Sequence, residues 1–196
     1  MPLKKRIQRE DILEGAAQVI REGGAGALTA RSLAARLGCS TQPLYSEFGS
    51  LDALLEALPA YLHEKYLSAD CTSYKDFGRV FLRFAAREKE LFRFLYLRRR
   101  GPDALPLEDH NRERTLKLLT RCLELAPEEA AQLHRRMQFY CYGLGVMIAT
   151  GYRALTDEEL ERELTDMFSM LVRHYKNVPD ETSLAFWLER ARHYIG

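Results

Sequence analysis

Apolar residues along this chain recur every three to four positions, and no segment alternates with period two. The pattern predicts helices throughout and no strand. Leu13, Ala16, Ala17 and Ile20 make one stripe over about 6–22. Leu33, Ala34 and Leu37 make another over 30–37, and Leu44 and Phe48 a third just beyond it. Leu51, Leu54, Leu55, Leu58 and Leu62 carry a longer helix over about 50–67. After a polar break at 68–73, Phe77, Val80, Phe81 and Phe84 face one way over 74–87, and 91–97 is dense in apolar residues. Helices are then expected at about 107–124, 127–150, 157–176 and 181–194, with a loop over 98–106. The helix at 157–176 carries Leu160, Leu164, Met167, Phe168, Leu171 and Tyr175 at helical spacing. The sum is an all-α chain of about nine or ten helices.

Polar and special residues punctuate this pattern. Thr29 can accept a hydrogen bond from the free amides that open a helix, so it is expected to cap 30–37. Gly38 can adopt the left-handed conformation that ends it. Ser40 is expected to cap the next helix, and Pro43 falls in its first turn, where a missing N–H costs nothing. Pro59 lies inside the helix at 50–67, removes the bond to the Leu55 carbonyl and predicts a bend there. Pro127, Thr156 with Asp157, and Pro179 mark later helix starts and breaks.

Two short helices meeting at a tight turn read as a helix-turn-helix, which docks its second helix in the DNA major groove. Leu44 and Phe48 pack inward in this reading. Thr41, Gln42, Tyr45 and Ser46 are left outward, with hydroxyls and an amide suited to phosphates and base edges.

The residues from Ile12 through Ala16, Ala17, Gly24, Leu28, Thr29, Leu33, Ala34, Leu37, Gly38, Ser40, Leu44, Tyr45, Phe48, Leu54 and Leu55 resemble the TetR family of transcriptional repressors. The resemblance covers the first 55 residues closely and the remainder as a pattern of helices. It implies an N-terminal three-helix DNA-binding domain over 1–50, a linking helix over about 50–67, and an all-helical ligand-binding and dimerisation domain over 68–196. By position, Thr29 and Arg31 match phosphate-contacting sites, Thr41, Gln42 and Pro43 match groove-reading sites, and Tyr45 matches a further phosphate contact. With Ser40 and Ser46 these make the expected DNA-binding set. Two positions depart from the family. Glu47 stands where a basic residue or His is common, and Leu51 where a phosphate-touching Lys is common. An acid near phosphates costs affinity, and a lost cation lowers the salt dependence. The basic arm of Lys4, Lys5, Arg6 and Arg9 can offset this by reaching the backbone or minor groove.

Charge narrows the picture further. Lys plus Arg number 29 and Asp plus Glu 28, a formal net charge of +1. No global field draws the chain to nucleic acid, so any attraction comes from a local patch. Cys39, Cys71, Cys122 and Cys141 are far apart with no C-x-x-C pair, which suits a reducing cytoplasm. No signal peptide or apolar run of spanning length is recognised, and a cytoplasmic location is expected.

Enzyme motifs do not stand out. There is no Gly-x-Ser-x-Gly, phosphate loop or His-Glu-x-x-His, and Gly24-x-Gly26 follows a helix rather than a strand. The five histidines are scattered, so neither a metal nor another cofactor is expected. Cys39 sits in the helix-turn-helix, which leaves a redox-sensing regulator as one alternative. A helical interaction protein that has lost DNA binding is the other.

The family likeness also implies an internal effector cavity. Phe81, Phe84, Phe92, Leu95, Tyr96, Tyr140 and Met147 supply aromatic and soft apolar surface for an apolar or aromatic small molecule. Arg98–Arg100 offer charge for an anionic one. For a homodimer, the helices at 127–150 and 157–176 are expected to form a four-helix bundle with their copies, using Gly143, Gly145, Leu164, Phe168 and Leu171. A two-fold dimer calls for a near-palindromic operator. The expectation is therefore a sequence-specific transcriptional regulator, a ligand-released repressor rather than an enzyme.

Overall fold

A computed structural model describes residues 7–68, 71–97 and 111–193. Among them are ten α-helices and no strand: α1 (Arg9–Gly23), α2 (Ala30–Leu37), α3 (Gln42–Phe48), α4 (Leu51–Leu67), α5 (Tyr74–Arg87), α6 (Lys89–Tyr96), α7 (Arg112–Leu123), α8 (Pro127–Ala149), α9 (Asp157–Lys176) and α10 (Glu181–His193). A single 3-10 turn, Ala25–Ala27, joins α1 to α2. The expected bounds hold to within a few residues where they can be compared. The start of the helix placed at 107, the loop at 98–106, Arg98–Arg100 and Lys4–Arg6 lie outside the described residues.

The helices gather into two compact units. One comprises residues 1–68 with 87–98, the other 69–86 with 99–196. The expected domain over 68–196 includes α6, whereas α6 packs with the N-terminal unit. Its Leu91, Phe92, Phe94 and Leu95 are all buried, and it lies against α1. This amphipathic segment is short, and its pattern alone carries no mark of which neighbour it covers.

In the first unit, Ile12, Ala16 and Ile20 of α1, Leu33 of α2, Leu54, Leu58 and Leu62 of α4 and Leu91 and Phe92 of α6 form a core from which water is excluded. Burial of a Leu or Ile side chain contributes about 2 kcal/mol, so this set dominates the unit's stability. A Cβ at Gly15 would stand 2.9 Å from Leu37 Cδ2 and 3.1 Å from Leu33 Cδ1. The glycine therefore sets the closeness of α1 and α2. α4 runs through Pro59 without interruption, from Leu51–Leu67.

Polar ties brace the same unit. Tyr61 of α4 donates to Glu14 of α1 at 2.7 Å, and Lys65 pairs with the same carboxylate. Burial raises the Glu14 pKa, but the donors from Lys65, Tyr61 and Gln18 outweigh it, and the carboxyl sits below its ordinary value.

The second unit is built from α5 and α7–α10. Leu82, Leu119, Leu123, Leu133, Leu160, Leu164 and Val172 fill its core. Within it, Tyr74 Oη meets His134 Nδ1 at 2.9 Å, and the His134 Nε2 lies 3.4 Å from Thr115 Oγ1. All three are buried, so each polar atom keeps a partner away from water. Tyr74 also packs on the Phe168 ring, centroids 5.4 Å apart.

Candidate DNA-binding site

The helix-turn-helix is assembled from local signals that work as the sequence predicts, with one exception. Thr29 Oγ1 accepts from the Ser32 amide at 3.0 Å, and Ser32 Oγ in turn accepts from the Thr29 amide at 2.9 Å, a reciprocal cap on α2. Gly38 ends α2 at φ 63°, ψ 33°, a conformation that would strain a residue with a Cβ. Its amide donates to the Ala35 carbonyl at 3.2 Å, and the Cys39 amide to Ala34 at 3.0 Å. The exception is Ser40. The residue preceding α3 is Thr41, already in helical conformation at φ −73°, ψ −11°, and no side chain caps this end. A cap needs extended backbone to swing its hydroxyl over the first amides. Pro43 occupies the first turn as expected.

This geometry sorts the side chains of α3. Leu44 is 3 % exposed and anchors the helix to the unit. Gln42, Tyr45 and Ser46 are exposed, Tyr45 at 51 %, and Thr41 and Pro43 are half-buried at the helix start. Thr29, Arg31 and Ser40 are exposed as well. An amide, a phenol and hydroxyls on the open side of a two-turn helix can hydrogen-bond base edges and phosphate oxygens.

The cations of the first three helices are mostly engaged. Arg21 bonds Glu88, and Arg36 pairs with Glu22. Arg9, expected in a basic arm, is in α1: its guanidinium lies 4.0 Å from the Phe48 ring centroid, and Nη1 donates to the Glu47 carbonyl at 3.2 Å. Of these four, only Arg21 and Arg36 have an ion-pair partner among the described residues, and Arg31 is exposed. Nothing in the sequence marked the Arg9–Phe48 contact, because 39 residues separate the two and neither belongs to the other's helix. Cys39 is half-buried, with Sγ donating to the Ser40 carbonyl at 3.1 Å.

The residues expected around an effector divide between the units. Phe92 and Leu95 are buried in the first unit, with Tyr96 half-buried beside them; the Phe92 and Tyr96 rings lie 4.7 Å apart. Phe81, Phe84, Tyr140 and Met147 belong to the second, where Phe84 is buried. Tyr140 donates to Glu163 of α9, and burial first, then that carboxylate, raises its pKa.

The residues expected at a dimer interface also separate. Leu164, Phe168 and Leu171 are at most 8 % exposed and pack inside the second unit, and Gly145 is buried as well. They serve the chain's own core, because the deepest apolar stripe of α9 is claimed by α5 and α8. Gly143 is different: it is exposed, and a Cβ there would meet nothing within 4 Å. On the open sides of these helices stand Phe139, 70 % exposed, Tyr142 and Met170. Phe139 falls two residues off the buried stripe of Leu133, Met137 and Cys141, the signal by which an apolar residue on a polar face is recognised. Among the described residues no helix is long and apolar enough to cross a membrane, and no three His, Cys, Asp or Glu side chains gather as metal ligands.

Comparison with known proteins agrees with this architecture. No curated protein shows significant sequence similarity to the chain. Among solved structures, a TetR-like transcriptional regulator from Rhodococcus sp. RHA1 matches with a TM-score of 0.60 at 16 % identity, over 90 % of this chain and 100 % of that one. TetR from Acinetobacter baumannii AYE matches at 0.58 and 19 % identity, over 87 % and 97 %. A variant of that protein in complex with minocycline matches at 0.57, with the same identity and coverage. These likenesses concern the fold. The family of bacterial regulatory proteins named for tetR matches residues 12–58, which span α1–α3 and the first half of α4. Residues 12–58, which hold the helix-turn-helix, thus match the N-terminal domain of the tetR family of bacterial regulatory proteins, and the all-helical fold is similar to that of solved TetR-like regulators.

Proposed function

We propose that this DNA-binding regulator is a homodimeric repressor of the cytoplasm, released from a near-palindromic operator by a small molecule. The observation that carries the reading is the composition of α3: Leu44 buried on one side, Gln42, Tyr45 and Ser46 exposed on the other. Thr41 and Pro43 set the start of that helix, Gln42 reads base edges, and Thr29, Arg31, Ser40, Tyr45 and Ser46 hold the phosphates. A second copy supplies the second recognition helix, and the operator mirrors the two-fold axis.

Phe139, Tyr142 and Met170, with Gly143 allowing close approach, support a dimer formed through α8 and α9. A contiguous exposed apolar patch marks a partner surface, and Phe139 and Tyr142 stand one turn apart on α8. The effector reading rests on Phe81, Phe84, Tyr140 and Met147 of the second unit and on the similar fold that carries minocycline in the Acinetobacter protein. An apolar or aromatic molecule that binds the DNA-incompetent form better shifts the population and releases the operator.

Selection of bound sequences from a random DNA pool, at low and moderate salt, tests this. Enrichment of one inverted repeat is expected. Enrichment of no sequence at either salt overturns the operator reading in favour of a helical interaction protein.

A further inference from the structure

The recognition helix α3 is only seven residues long. Two turns are marginal on their own, so the helix depends on what holds its ends. At its C-terminal end the Gly49 amide donates to the Tyr45 carbonyl at 3.0 Å. The carbonyls of the last turn have no intrahelical partner and carry the negative end of the helix dipole. Arg9, from the first turn of α1, donates to the Glu47 carbonyl at 3.2 Å and lays its guanidinium 4.0 Å from the centroid of Phe48. One side chain thus meets the Glu47 carbonyl with a cation and the ring of the helix's last residue with a cation–π contact. Leu44, one turn earlier, is the buried anchor. Leu44 and the contact at Glu47 and Phe48 thus hold the helix that carries Gln42 and Tyr45 at two points.

We infer that Arg9 is a positioning residue for DNA recognition, setting the tilt of α3 from its C-terminal end rather than neutralising phosphate. This inference rests on the operator reading above. A phosphate contact and a positioning contact differ in three ways. Losing a phosphate-bound cation lowers the slope of log affinity against log salt by about 0.9 and weakens binding to all sequences alike. Losing a positioning group leaves the slope alone and erodes the preference for operator over unrelated DNA. Lys keeps the charge but not the broad guanidinium that meets carbonyl and ring together, so it rescues a phosphate contact and not this one.

The test uses the full chain and the inverted repeat selected by the wild-type protein, with a scrambled duplex as reference. Binding of wild type, Arg9→Lys and Arg9→Gln is titrated at several salt concentrations, and thermal unfolding confirms that each variant is folded at the working temperature. The expected result is about a tenfold loss of operator affinity in both variants, little change on scrambled DNA, and an unchanged salt slope. Amide exchange at residues 47–49 should quicken in the free variants. Equal losses on both duplexes with a reduced slope, or full rescue by Lys, overturn the positioning role while leaving the operator reading intact. Failure of the wild type itself to select a sequence overturns both. A variant with wild-type affinity, slope and exchange overturns the inference alone.

Discussion

The Arg21 guanidinium grips the Glu88 carboxylate with two hydrogen bonds, Nε to Oε2 at 2.7 Å and Nη2 to Oε1 at 3.2 Å. The pair bridges 67 residues of sequence and ties the last turns of α1 to the residue that precedes α6. Tyr66 of α4 also accepts from Arg21, so three helices of the first unit share one cation. Burial opposes the charge on Arg21, but the bond to Glu88 outweighs it and raises its pKa. The pair is partly open to water, at 36 % and 18 % side-chain exposure. A double-mutant cycle with Arg21→Met and Glu88→Gln should therefore give a coupling of only about 1 kcal/mol by urea unfolding. A coupling near zero would mean that apolar packing alone retains α6.

Acid should loosen the second unit through Glu161. Arg79 of α5 bonds this carboxylate in a forked arrangement, with Nη2 to Oε2 at 3.1 Å, and Lys75 Nζ reaches the same Oε2 at 2.7 Å. The Arg79 bond, against burial and with help from Lys75, lowers its pKa from 4.5 to about 2. A pKa depressed in the folded state contributes stability above the unfolded value and loses it as pH falls through the folded one. The loss should run from about pH 4.5 down to about pH 2. Glu161→Gln should remove roughly 2 kcal/mol at neutral pH, after allowance for screening, and flatten that part of the acid limb. Unfolding free energy measured against pH for both proteins checks this, and parallel curves would refute it.

Groove contacts should separate by kind. Gln42→Ala is expected to cost about 1–3 kcal/mol of operator binding and to relax the preference at one base position. Tyr45→Phe removes only a hydroxyl and should weaken all sequences by similar, smaller amounts. Anisotropy titrations on the selected repeat and its single-base variants distinguish the two. Wild-type binding by both variants would remove α3 from the groove.

Glu47 is expected to oppose DNA through charge alone. Glu47→Gln should tighten binding to operator and scrambled duplex by the same factor, with the gain shrinking as salt rises. A gain confined to one sequence would contradict this electrostatic role.

The dimer proposal makes opposite demands on one position. Gly143 has open space where a Cβ would stand, and Gly inside a helix costs about 1 kcal/mol relative to Ala. Gly143→Ala should then stabilise an isolated chain, yet weaken association if helices of two copies approach there. Phe139→Glu should dissociate the dimer outright. Sedimentation across concentration, read beside thermal unfolding, reports both; a dimer indifferent to both changes uses another face.

Much of this molecule is written within short stretches of chain. Helix periodicity, the Thr29–Ser32 cap, the turn at Gly38 and Pro43 at the start of α3 each depend on residues within about five positions of one another. Backbone sterics and i to i+4 bonding act over that same range, so sequence alone determined the ten helices closely, together with the helix-turn-helix and its exposed edge. What sequence alone left open is which partner each apolar stripe meets. Leu164, Phe168 and Leu171 had the look of an interface and are core, while Phe139 and Met170 stayed outside. The stripe containing Phe92 and Leu95 had the look of a ligand wall and closes over α1. Arg9 had the look of a free arm and holds Phe48. An apolar stripe has a strong preference to leave water but little preference among apolar neighbours, because burial is non-directional. The choice among neighbours falls to volume, crossing geometry and pairs such as Arg21 and Glu88, which meet only once the chain has folded.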